Sequence, residues 1–132
     1  MSPLSNSERG SISGFVVVLS MTFVACAGLA FDGGRMIAAR AEATDAAENA
    51  ARAGAQQVTS LRSGNPTIDK SAATISAKRF LETIGITGVA TADENSVTVT
   101  TNIKVPMILL GIFGVRDRSV SAVRSAQPFT SP

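Results

Sequence analysis

The spacing of apolar positions changes several times along this chain, and each change predicts a different element. From Gly10 to Phe31 (GSISGFVVVLSMTFVACAGLAF) no residue is charged, while Glu8, Arg9, Asp32 and Arg35 bracket the run. A bilayer core of about 30 Å needs about 20 apolar residues in a helix, so the run is long enough to cross. In hydrocarbon every backbone N–H and C=O has to be paired within the chain, which makes the spanning form a helix. From Met36 to Leu61 the large side chains give way to alanine, the best helix former, with charges at Arg40, Glu42, Asp45, Glu48 and Arg52. If Gly33-Gly34 does not kink it at the membrane surface, one helix is expected from about Ser11 to about Ser60.

Arg62-Ser63-Gly64-Asn65-Pro66 ends this rod. Asn65 is expected to cap a second helix with Pro66 at its first position and Asp69 in its first turn. Ile68, Ala72, Ile75, Phe80 or Leu81, and Ile84 approximate its apolar face, and Gly85 closes it. The period then becomes two. Val97, Val99, Thr101, Ile103 and Val105 alternate with polar residues, predicting a half-buried strand that Pro106 ends. Val89–Ala92 is a short partner strand across an Asp93-Glu94-Asn95 turn, and Arg118–Val123 a last strand pairing antiparallel with 97–105. Between them Met107–Val115 (MILLGIFGV) is very apolar but too short to span. Core burial is the default expectation for it, because an exposed patch this apolar would need a partner; a membrane-lying loop and a contact surface are the alternatives.

Composition narrows the chemistry. The chain has 132 residues and a net charge of +2, and its basic residues are scattered without Tyr or Trp among them, so nucleic acid is not an expected partner. There is no histidine and only one cysteine, Cys26. That removes the commonest general base, the usual zinc ligand, an intramolecular disulfide and a thiol-rich metal site. Asp93 and Glu94 are adjacent in a turn, where solvation is the ordinary reading. No enzyme, cofactor, metal or small-molecule substrate is expected.

Ala25-Cys26-Ala27 has the form of a signal-peptidase site, and Phe23-Val24-Ala25-Cys26 loosely that of a lipoprotein box. Apolar character continues past both sites to Phe31, which an uncleaved anchor, or one trimmed near its start, explains better. Gly10 and Gly14 form a small-xxx-small pair that permits close helix approach. The flanking charges do not decide orientation.

Arg9-Gly10-Ser11, the apolar helix and then GLAFDGGRMIAARAEATDAAENAARAGAQ resemble the TadE/TadG-like family of bacterial tight-adherence (Flp) pilus-assembly proteins. The residues that carry the resemblance are Asp32, Gly34 and Arg35, followed by Ala50-Ala51-Arg52-Ala53-Gly54-Ala55. It implies a minor-pilin-like or pseudopilin-like component with a cytoplasmic N-terminus and everything after Phe31 outside the membrane. It also implies a prepilin-type cleavage between Gly10 and Ser11. One departure stands out: processed family members carry Glu at the fifth mature position, and counting from Ser11 gives Phe15. The TadG-like members, which are not clearly processed, are the closer comparison.

The expected protein is therefore α+β and pilin-like. A tail (1–9) leads into a transmembrane helix (10–31), an Ala-rich stalk helix (32–62), a small extracytoplasmic domain (66–126) with a second helix and antiparallel sheet, and a tail (127–132). Its expected place is the bacterial cell membrane, single-pass, or the pilus itself, and its partners the membrane and other pilus proteins. Gly14, Asp32, Gly34, Arg35, Ala47, Ala50 and Ala51 are the expected interface positions, with the alanine face packing on partner helices and Asp32 and Arg35 fixing helix depth or pairing with a neighbour. The alternative is a small anchored or lipidated surface binding module with the sheet as its ligand site.

Overall fold

A computed structural model describes residues 6–59 and 66–128. It has the expected α+β class: a long apolar N-terminal helix, a second helix and antiparallel sheets. Helix α1 runs without interruption from Asn6 to Ala55, about 75 Å at 1.5 Å per residue. Gly33-Gly34 does not end it: the helix continues through both from the apolar run into the Ala-rich one. Residues 6–9, expected in the tail, belong to this helix.

After α1 the chain makes a two-stranded pairing, β1 (Val58–Thr59) with β2 (Thr67–Ile68). Helix α2 (Lys70–Thr83) follows. A three-stranded antiparallel sheet then forms in the order β3 (Thr87–Ala92), β4 (Val97–Val105), β5 (Arg118–Ala126). Val97 lies opposite Ala126 and Val105 opposite Arg118, so β4 and β5 pair over their full length.

The second helix starts later than expected. Asp69 is its N-cap: its carboxylate accepts the backbone N–H groups of Ser71 at 3.1 Å and Ala72 at 3.0 Å. Upstream residues are held in other pairings, with the N–H of Asp69 donating to Gln57 and that of Ile68 to Glu94. Pro66 precedes β2 rather than opening a helix, and Asn65 lies outside the described residues, as do Ser60–Gly64 and the ends 1–5 and 129–132. The buried face of α2 is Ala73, Ala77 and Leu81, whereas Ile75 and Ile84 point outward. Gly85 closes the helix as expected, with φ of 72° where an L side chain is disfavoured.

One face of the sheet packs on α1 and α2. Strand β4 runs back along α1. Val97 lies against Gly54, the Thr101 hydroxyl donates to the Ala43 carbonyl at 2.7 Å, and Pro106 reaches Arg35. Two cores result. The one near the C-terminal end of α1 joins Ala46, Ala47, Ala50 and Ala51 to Ala73, Ala77 and Leu81 of α2 and to Val97 and Val99. The other, nearer the apolar half, joins Ala39, Val105, Met107 and Val120. The alternation in β4 puts Val97, Val99, Thr101 and Val105 inward, while Thr100, Asn102 and Lys104 face out.

Candidate functional site: the Asp32–Arg35 clasp

Gly28, Asp32, Met36, Ala39, Ala43, Ala47 and Ala50 recur three or four residues apart, so they share one face of α1. That face meets the domain. Asp32 is the one carboxylate on it, and its exposure is 0%. A carboxylate so enclosed needs donors. The loop joining β4 to β5 supplies them: the backbone N–H of Ile108 donates to Oδ1 at 3.1 Å and that of Leu110 to Oδ2 at 2.7 Å. One helical turn along, Nη1 of Arg35 donates to the Pro106 carbonyl at 2.6 Å. Acid and base together clasp the first five residues of the loop to the helix.

The loop amides hold the Asp32 carboxyl below its ordinary value of 3.8. The Leu110 N–H contributes most, burial opposes it, and the Ile108 N–H and the Arg35 charge add to it. The carboxylate thus stays ionised at neutral pH, and both its oxygens are occupied within the chain. Toward the N-terminus, Gly28 lets the loop approach. A Cβ there would stand 3.3 Å from Cβ of Leu109. Beyond Leu109 the chain makes a 3₁₀ turn, Leu110–Phe113, closed by Gly114 at φ of 83°.

The remaining expected positions fall into two groups. Ala47, Ala50 and Ala51 have 0% exposure and are covered by the chain's own sheet and second helix. Gly10, Gly14 and Gly34 face open space, with no atom of the described residues beyond their own helix turn within 4 Å of where a Cβ would stand, and Ser11 is likewise exposed. The site therefore brings Asp32 and Arg35 together and keeps the glycines apart from them.

Sequence reasoning missed the partners of Asp32, which lie 76 and 78 residues away, and the role of Gly54. A Cβ on Gly54 would stand 2.9 Å from the Ala73 carbonyl oxygen and 2.9 Å from Cγ1 of Val97, so glycine permits the crossing of α1, α2 and β4. An acid on an otherwise apolar, small-residue face was the available signal for the clasp. Among the described residues no group of three His, Cys, Asp or Glu side chains gathers to hold a metal ion.

The clasp and the apolar helix before it fall within one recognisable segment. Residues 10–57 match the model of the family described as "Putative Flp pilus-assembly TadE/G-like". The matched segment covers the apolar run, Asp32, Gly34, Arg35 and the alanine face through Gly54 and Ala55. No curated protein and no solved structure matches the chain. By length and composition the Tad-like segment contains a helix able to cross a membrane. The family's description names a part in Flp pilus assembly, and the match spans 48 of the 132 residues.

Proposed function

We propose that this protein is a non-enzymatic, minor-pilin-like component of a tight-adherence type IV pilus or related secretion system. It is held in the bacterial cell membrane by residues 10–31. In this reading the N-terminus is cytoplasmic and the domain built on residues 36–126 stands outside, where it meets other pilus components. The carrying observation is the family match over residues 10–57. It is supported by the helix that joins the apolar run to the folded domain without a break.

Helix contacts with partners fall on the apolar half. The alanines of the other half are occupied by the chain's own sheet, whereas Gly10 and Gly14 are open and permit close approach of a second helix. Gly14→Leu is the informative variant, because it touches nothing in the chain. In the native host we expect wild type, extracted in detergent, to bring pilus proteins with it. Gly14→Leu is expected to lose them while its domain melts as before. Unchanged co-purification, together with normal pili in a strain lacking the protein, would overturn the assignment. Intact mass from native membranes separates the forms: a start at Ser11 marks a processed pilin-like subunit, and an uncut chain, which we expect, an anchored assembly factor.

A further inference from the structure

Two properties of the loop between β4 and β5 bear on its surroundings. Its tip is apolar and exposed: Ile112 is 79% exposed, and Ile108 and Phe113 each 54%. A contiguous apolar patch of this kind marks a contact. Part of its backbone is paired within the chain. Asp32 accepts the N–H groups of Ile108 and Leu110, and Arg35 donates to the Pro106 carbonyl. The carbonyls of Leu109, Leu110 and Gly111 accept from the N–H groups of Ile112, Val115 and Gly114, at 3.3, 3.1 and 3.0 Å. Pro106 has no N–H to satisfy. Where no water reaches, each such pairing spares a polar group the cost of lying bare.

The loop's position along α1 points the same way. It starts beside Arg35 and reaches Gly28, where Leu109 packs. Seven residues of helix are about 10 Å, so the loop descends past Asp32 to a level inside the apolar run 10–31. Exposed charged residues, Arg116, Asp117 and Arg118, follow immediately as the chain turns back into β5. Apolar tip and charged collar match the depth order of acyl chains and headgroups.

We propose that residues 107–115 are a second membrane contact: Ile108, Ile112 and Phe113 insert among the acyl chains of the leaflet from which α1 emerges, and the Asp32–Arg35 clasp sets their depth. The occupant is lipid of the same bilayer, because the loop is continuous with the apolar face of α1 and lies at its exit level. Two contacts, helix and wedge, fix the tilt and rotation of the domain on the membrane, which a helix alone does not. The inference rests on the reading of residues 10–31 as membrane-spanning.

The chain contains no tryptophan, so one introduced indole reports one position. Full-length Phe113→Trp, Phe15→Trp and Ile75→Trp are each placed in phosphatidylethanolamine–phosphatidylglycerol vesicles, with and without lipids brominated on their acyl chains. We expect the indole at 113 to emit to the blue, to be quenched by the brominated chains and to be shielded from iodide. The indole at 75, on the exposed side of α2, should remain open to iodide. Adding Asp32→Ala to Phe113→Trp should reduce the bromolipid quenching and restore iodide access. A water-like, iodide-quenched indole at 113 beside a bromolipid-quenched one at 15 would overturn the wedge and leave the spanning helix standing. Absence of bromolipid quenching at 15 as well would remove the spanning reading and the wedge with it. Shielding at 113 that depends on protein density, without bromolipid quenching, would assign the patch to another protein and also overturn the proposal.

Discussion

Residues 10–31 and 36–55 lie on one unbroken helix, yet their side chains have opposite surroundings. The first stretch presents Phe15, Val18, Phe23, Leu29 and Phe31 outward, each more than half exposed. The second buries Ala43, Ala47, Ala50 and Ala51 completely against the sheet and α2. Helical propensity does not separate the two halves; side-chain size does. A helix face that the rest of the chain leaves uncovered sets no limit on side-chain size. A helix lying on a sheet of Val and Thr brings its backbone close, and only small residues fit between. The alanine stripe is thus the signature of intramolecular close packing here, and Asp32 marks where one regime gives way to the other.

That comparison breaks first if the alanine half tolerates bulk. Ala50→Leu is expected to cost about 3 kcal/mol of domain stability, at the upper end of overpacking penalties. Ala25→Leu, in the exposed apolar half, should leave melting in detergent unchanged. Equal melting of the two variants would show that the buried face is not the domain's core.

The glycines sharpen the contrast. Gly54→Ala places a methyl 2.9 Å from the Ala73 carbonyl oxygen and from Val97, and about 1–2 kcal/mol should be lost. Gly14→Ala meets nothing and should cost nothing in the same denaturant titration.

At the border, Asp32 makes stability depend on pH. Its folded-state pKa is lowered, so its contribution is fully present above the ordinary value of 3.8 and is lost as pH falls through the lower folded value. The melting temperature of wild type should therefore exceed that of Asp32→Asn at neutral pH, and the gap should close only in acid below 3.8. A pH-independent gap would mean the carboxylate charge is not what the loop amides bind.

The smallest effect belongs to the outer face of the alanine half, where Arg52 pairs with Glu48 one turn away and both are well exposed. Glu48→Ala should cost at most about 0.3–0.5 kcal/mol, and 1 M salt should abolish the difference.

Much of this architecture was legible because its causes are local. Through length and polarity alone, the charge-free run 10–31 marks a helix long and apolar enough to cross a membrane. The alternation at 97–105 carries a pleat that needs one face buried, and Gly85 carries a conformation that other residues resist. The start of α2 was less legible, because Asn65-Pro66 and Asp69 are both acceptable helix beginnings. What favoured Asp69 was the pairing of residues 67–69 with 57–59 and with Glu94, which no local preference encodes. The apolar 107–115 loop was legible as apolar but not as a place. Its half-burial follows from where β4 delivers it along α1.

The sequence by itself determined the helical apolar and alanine stretches, though not that Gly33-Gly34 leaves them one unbroken helix, the strands 97–105 and 118–123, and the family resemblance of residues 10–57. Each depends on neighbours within one or two turns, or on a two-residue alternation. Only the tertiary structure decided that the alanine face is covered by the chain's own sheet, that Gly54 must be small, and that Asp32 and Arg35 close on a loop more than 70 residues away. A side chain's size and charge state what kind of partner it can accept. Which partner arrives is set by the path of the whole chain, because hydrogen bonds and close packing act only at contact distance.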